Sequence, residues 1–213
     1  MKTDDLISML AQDAAPPDRP SVGIRAGLGI AAGFLASAAV YFQVLGPRFG
    51  LGAALMDPVV AAKTVLPLTL FVLTLVLGLR AVRPAAAAGA PKRLVWAIPA
   101  VLAALVVWAL ATTPASERMA DWLGHSIPVC LPAITVLSLP ILAGLMTALK
   151  QGAPLRPGRA GFLAGLAAAG LSTALYSTFC TEDSPLFYAT WYTLGIMISA
   201  GIGAALGRWW LRW

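Results

Sequence analysis

Apolar residues run along this chain in long stretches rather than at the two-residue alternation of a half-buried strand. Six stretches approach the roughly 20 residues needed to cross about 30 Å of hydrocarbon. They are Ala26–Leu45, Val60–Leu79, Leu94–Ala111, Pro128–Leu149, Gly161–Phe179 and Leu186–Leu206, the third being the shortest. Barrel strands would be about ten residues of alternating pattern. Leu66–Leu79 (LPLTLFVLTLVLGL) is apolar on every side, which only a helix can bury in lipid. The pattern predicts an all-α fold, a polytopic bundle of six transmembrane helices. Pro67, Pro99, Pro132 and Pro140 fall inside the spans and predict kinks rather than breaks. Gly29 with Gly33, Gly161 with Gly165 and Gly203 with Gly207 have the small-xxx-small spacing that lets helices approach closely.

Residues 1–25 form the one sizeable polar segment. Thr3 is placed to cap a short helix, with Asp4 and Asp5 in its first turn near the positive end of the helix dipole. Leu6, Ile7 and Leu10 share one face, with Met9 at its edge, and Ala14-Ala15-Pro16-Pro17 ends the helix. About nine residues are too few for a stable isolated helix. A membrane-surface helix would carry Lys and Arg on its polar face. This one is acidic, which favours a protein groove as its partner. A frayed tail is the alternative.

Composition agrees with the spans. Of 213 residues, 59% are apolar and 11% charged, and the mean hydropathy is +0.82. Soluble domains carry about 25% charged residues, and disorder needs low hydrophobicity. Charge then sets the orientation. Twelve of the fifteen basic residues fall on one side: Lys2, Arg19 and Arg25, the second loop, the fourth loop and the C-terminus. Arg48, Lys63 and Arg118 lie opposite. Basic loops stay cytoplasmic, so both termini are expected inside. The net charge of +6 then needs no nucleic acid, and direct nucleic-acid binding is not expected. The acidic N-terminus and the length of the first span also exclude a cleavable signal peptide.

Enzyme chemistry needs ionisable groups converging in a protected site, and the spans hold almost none. Lys63 is the nearest case, expected to snorkel from the outer end of the second span. Thr64, Thr69, Thr74, Ser138 and Thr147 would line a transporter or channel, or else bond their own backbone carbonyls. Two cysteines remain. Cys130 starts the fourth span and Cys180 ends the fifth, both at the outward end, where a Gram-negative periplasm is oxidising. They are read either as a paired thiol at the interface, tolerant of serine, or as two inert packed hydrophobes. His125, Glu182 and Asp183, with Asp121 nearby, are possible auxiliary ligands if a soft thiophilic metal binds there. With no CxxC and no second thiol pair, a thiol oxidoreductase is the weaker rival. No resident cofactor is expected.

Thr3-Asp4-Asp5-Leu6-Ile7, Lys63 following Asp57-Pro58, and above all Cys-Thr-Glu-Asp-Ser-Pro-Leu-Phe-Tyr-Ala-Thr-Trp-Tyr from Cys180 to Tyr192 resemble the NrsF family. The resemblance covers essentially the whole chain. It implies a six-span anti-sigma factor of the bacterial inner membrane. Its cytoplasmic N-terminus would hold an extracytoplasmic-function sigma factor inactive. Two periplasmic-side cysteines, here Cys130 and Cys180, would sense metal or oxidative stress, a thiophilic ion acting only as inducer. By the same resemblance, residues 1–25 are the sigma-binding segment through Asp4, Asp5, Leu6, Ile7 and Leu10, and 26–213 the transmembrane sensor. A small membrane transporter or channel subunit is the alternative.

Overall fold

The computed structural model describes residues 3–12, 21–82 and 89–212. Among them lie ten helices and no strand: α1 (Thr3–Gln12), α2 (Val22–Val44), α3 (Leu51–Ala54), α4 (Pro58–Ala81), α5 (Pro91–Leu94), α6 (Ala97–Thr112), α7 (Arg118–Leu123), α8 (Ile127–Leu149), α9 (Pro157–Ser177) and α10 (Pro185–Trp210). Six spans are long and apolar enough to cross a membrane, the third combining α5 with α6 and the fourth α7 with α8. The first span begins a turn earlier than its apolar run, because the Ser21 side chain accepts from the Ile24 amide and caps α2 there. Asp57 caps α4, its Oδ1 accepting from the Val59 amide at 2.7 Å, with Pro58 at the first helical position. Helices α4 and α8 continue through Pro67, Pro132 and Pro140. The alanine-rich part of the second loop, residues 83–88, lies outside the described residues.

Helix α9 forms the axis of the bundle. Thirteen of its 21 residues are buried, and nearly all are Ala, Gly or Ser. Such a surface has no long side chains to hold a neighbour away, so backbones meet. A Cβ at Gly161 would strike the carbonyl of Gly203, and one at Gly203 that of Gly161, so α9 and α10 touch backbone to backbone. Gly170 meets α4 at Pro67 and Phe71. Helix α2 packs antiparallel on α8 along a similar seam, Gly29 against Gly144 and Gly33 against Pro140. The small-residue pairs are thus spent within the chain. Ser37 Oγ donates across the α2–α8 seam to the Leu137 carbonyl at 2.7 Å.

Two cores divide the bundle between its ends. One packs Ile141, Leu142, Leu145 and Leu149 of α8 on Ala160, Ala164 and Ala167 of α9, near the basic loops. The other holds both cysteines. Exposed Leu28, Leu35, Phe42, Val72, Val107 and Ile198 face outwards from the spans, as a lipid solvent demands. Helix α6 is the outlier, burying only Ile98 and Ala109.

Candidate functional site: the thiol pocket and its ion-paired clamp

Cys130 sits in the first turn of α8, and Cys180 three residues past the end of α9, where its amide donates to the Tyr176 carbonyl at 3.2 Å. Consecutive antiparallel spans therefore bring both cysteines to one end of the bundle. They share a single cluster with Ile134, Tyr176, Phe187, Tyr188 and Tyr192. Both are free thiols, and they are buried at 0% and 1% exposure. Both lie at span ends, as the sequence led one to expect, but inside the bundle rather than open to water. Four aromatic rings wall them off, the Tyr176 and Tyr192 rings meeting edge to face at 5.7 Å. The hydroxyls of Tyr176 and Tyr192 are buried with no oxygen or nitrogen partner, and their polar neighbours are the thiols, Cys130 and Cys180 for Tyr176 and Cys180 for Tyr192. A thiol is a weak hydrogen-bond partner, so these phenols are poorly satisfied and can bond a polar group that replaces or modifies the sulfur.

Around the pocket, the Cys180–Ser184 loop is held by cations. Lys63 does not snorkel. Its side chain is 1% exposed and turns inward, donating to the Cys180 carbonyl at 2.7 Å and to Asp183 Oδ1 at 2.5 Å. Arg48, between α2 and α3, grips the same carboxylate in a fork, Nη1 to Oδ1 at 2.7 Å and Nη2 to Oδ2 at 3.0 Å. It also reaches the Cys180 carbonyl at 3.2 Å. Burial works to raise the Asp183 carboxyl, but Arg48 and Lys63 outweigh it and hold the group below the usual carboxylate range. Arg48 is raised in turn by its hydrogen bond to Asp183. Lys63 moves inward because an ammonium near lipid is tolerated when it meets a carboxylate and carbonyls.

The loop is also bound to α2. The Arg48 amide donates to the Thr178 carbonyl at 2.9 Å. Thr178 Oγ1 donates to the Leu175 carbonyl, so Tyr41 supplies the proton of the 2.6 Å bond between Tyr41 and Thr178.

The auxiliary ligands are not gathered at the sulfurs. The His125 ring is fully exposed and stands 3.9 Å from Glu182 Oε1. Glu182 is occupied at the start of α8, accepting from the His125 amide at 2.8 Å and from Ser126 Oγ at 3.3 Å. Asp121, His125, Glu182 and Asp183 line an open cleft of about 440 Å³, and neither cysteine does. Among the described residues no three His, Cys, Asp or Glu side chains are grouped to hold a metal ion.

The hydroxyls considered for a channel are locally satisfied. Thr69 donates to the Val65 carbonyl, Thr74 to Leu70 and Thr147 to Gly144. Thr64 bonds Ser177, and Ser138 bonds both Ser199 and the Thr135 carbonyl. At the other end of the chain, Leu6 and Ile7 of α1 are 42% and 59% exposed, and Asp4 and Asp5 occupy its first turn. Leu10 lies within α1, but its side chain is outside the described residues. Sequence reasoning missed Arg48 and the inward turn of Lys63. The signal was their placement, by topology, on the same side as Asp183.

Comparison with known proteins finds one family along nearly the whole chain. The family described as "NrsF: Negative regulator of sigma F" matches residues 10–213. The "Anti-sigma-F factor NrsF" of Caulobacter vibrioides is 36% identical, and the "Probable anti-sigma-F factor NrsF" of Azospira oryzae 34% identical; both alignments cover the whole of each chain. No solved structure matches.

Proposed function

Because the chain belongs to the NrsF family of negative regulators of a sigma factor, we propose that it is a membrane-anchored anti-sigma factor for a sigma factor of the extracytoplasmic-function type. It is a regulator rather than an enzyme, seated in the bacterial inner membrane with both termini in the cytoplasm. The observation that carries the binding assignment is the bare apolar face of α1, where Leu6, Ile7 and Met9 are all exposed. A ten-residue helix with such a face gains stability by lying in a partner's groove. Asp4 and Asp5 would meet basic groups that the sigma factor otherwise offers to DNA or polymerase.

Release is assigned to Cys130 and Cys180. Their surroundings supply a physical route that the sequence did not contain. Cys130 rides on α8, whose opposite half is locked to α2 at Gly29 and Gly144. Cys180 reaches the far end of α2 through Thr178, Tyr41 and Arg48. Both contacts lead to α2, the helix that follows α1. Oxidation or metal capture at the sulfurs shifts sigma affinity only if it favours a different placement of α2.

The test is co-purification of the sigma factor with the full-length protein and with a version lacking residues 1–20. The truncated protein is expected to insert in the membrane and to lose sigma. Equal retention by both overturns the assignment to α1.

A further inference from the structure

A cavity of about 590 Å³ lies between α4, α6, α9 and α10. Its walls are apolar, with Leu66 and Leu70 of α4, Leu102 of α6, Leu166 of α9 and Ile196 of α10 among them. Lys63 and Leu77 both line it, and at 1.5 Å per residue they are about 21 Å apart along α4. The cavity is partly open along this length rather than sealed. Its length and apolar walls suit one extended hydrocarbon chain. Water is a poor filling, since each molecule needs two to four polar partners.

The two ends differ in charge. Lys92 of α5 and Arg159 of α9 line one end, together with exposed Trp96. Both cations are exposed, and neither is ion-paired among the described residues. At the opposite end the cation is Lys63, already committed to Asp183. The free positive charge is therefore at the end that carries the basic loops. Basic pockets between spans on the cytoplasmic side receive anionic headgroups, and tryptophan marks the interface.

From this asymmetry we infer that the cavity holds one acyl chain of an anionic phospholipid, its phosphate between Lys92 and Arg159. The chain runs along α4 towards Tyr188 and Tyr192, which line the far part of the cavity. The lipid completes the packing of α6, which otherwise buries only Ile98 and Ala109. It is held by the sensor bundle independently of any sigma factor.

The experiment measures binding of phosphatidylglycerol and phosphatidylcholine of identical acyl chains to delipidated full-length protein, by native mass spectrometry and by the shift in melting temperature. Phosphatidylglycerol is expected to bind preferentially and to raise the melting temperature. At about 1 kcal/mol for each basic residue, Lys92→Gln with Arg159→Gln weakens it roughly thirtyfold and removes the preference. Both positions are exposed, so the variant keeps its fold. Leu166→Trp fills the cavity and is expected to abolish retention of both lipids. Equal binding of the two lipids overturns the inference. So does an undiminished preference in the double variant, or full displacement of the lipid by soluble glycerol 3-phosphate.

Discussion

Lys63 donates to the backbone carbonyl of Cys180 at 2.7 Å, which ties a buried cation to the chain at the thiol residue itself. The same ammonium holds Asp183, and Asp183 holds Arg48. Three stretches distant in sequence thus meet at one loop: the end of α2, the start of α4 and the segment between α9 and α10. A displacement of the Cys180 backbone must stretch or break bonds to both cations. Their environment decides what that costs, since Lys63 is buried and has no water to fall back on.

Asp183→Asn leaves the Lys63 ammonium buried beside carbonyls alone. Removing one partner of a fully buried pair costs about 3–5 kcal/mol. Here about 2 kcal/mol is expected, because the Asp183 side chain is 33% exposed and solvent screens the pair. Thermal unfolding in detergent measures it, and adding Lys63→Met is expected to recover part of the loss.

Acid should act on the same group. The Asp183 carboxyl titrates below its usual range in the folded protein. Its stabilisation is therefore complete above the unfolded value of about 3.9 and disappears as pH falls through the lower folded value. A melting temperature with a drop confined to below about pH 4 is expected, and Asp183→Asn should make that drop shallower.

Serine is the wrong probe of the cysteines. At 0% and 1% exposure, a serine hydroxyl at either position demands a buried partner and can take one from the Tyr176 and Tyr192 hydroxyls, so it adds an interaction of its own. Cys130→Ala and Cys180→Ala impose no such demand. Each is expected to retain the sigma factor yet fail to release it on addition of an oxidant or thiophilic metal. The double change should do no more than either alone, as for two groups acting as one unit. Additive effects in a release assay would show independent sites.

The α2–α8 seam can be tested by a contrast of glycines. A Cβ at Gly144 strikes the backbone of Gly29, whereas one at Gly27 meets no atom within 4 Å. Gly144→Ala is expected to lose about 1–3 kcal/mol. Gly27→Ala should be neutral or slightly stabilising.

Charging the bare face of α1 should weaken sigma binding without touching the bundle. Leu6→Asp or Ile7→Asp is expected to reduce co-purified sigma at least tenfold, with membrane insertion and melting temperature unchanged. A loss of melting temperature would place α1 against the bundle instead.

The spans were legible because lipid imposes one rule on every residue of a long apolar run, so Leu66–Leu79 announces a helix without knowledge of its neighbours. Their order in space was not, because it depends on which small residues face each other. Gly29 carries no mark that its partner is Gly144 rather than Gly161. The cysteines could be brought to one end by counting spans, but their depth could not. Enclosure comes from Tyr176, Phe187 and Tyr192, which arrive from α9 and α10. Lys63 was misread for a related reason. Snorkelling is the expectation for a lone cation near a helix end, and the carboxylate that draws Lys63 inward lies 120 residues away. The mouth of the lipid cavity was hidden too, since Lys92 and Arg159 look like ordinary positive-inside residues until α5 and α9 stand side by side.

Full enclosure of the two sulfurs gives the pocket a clock. A reagent in solution cannot meet either thiol until the aromatic wall opens, so modification proceeds through a rare open form. When reagent is dilute, the rate follows its concentration multiplied by the open fraction. When reagent is abundant, the rate levels off at the opening frequency of the bundle and no longer distinguishes a moderate dose from a large one. Brief exposures shorter than the mean closed interval leave most molecules unmodified. The depth at which Cys130 and Cys180 lie thus fixes a shortest event that the protein can register, whatever the chemistry of the reagent.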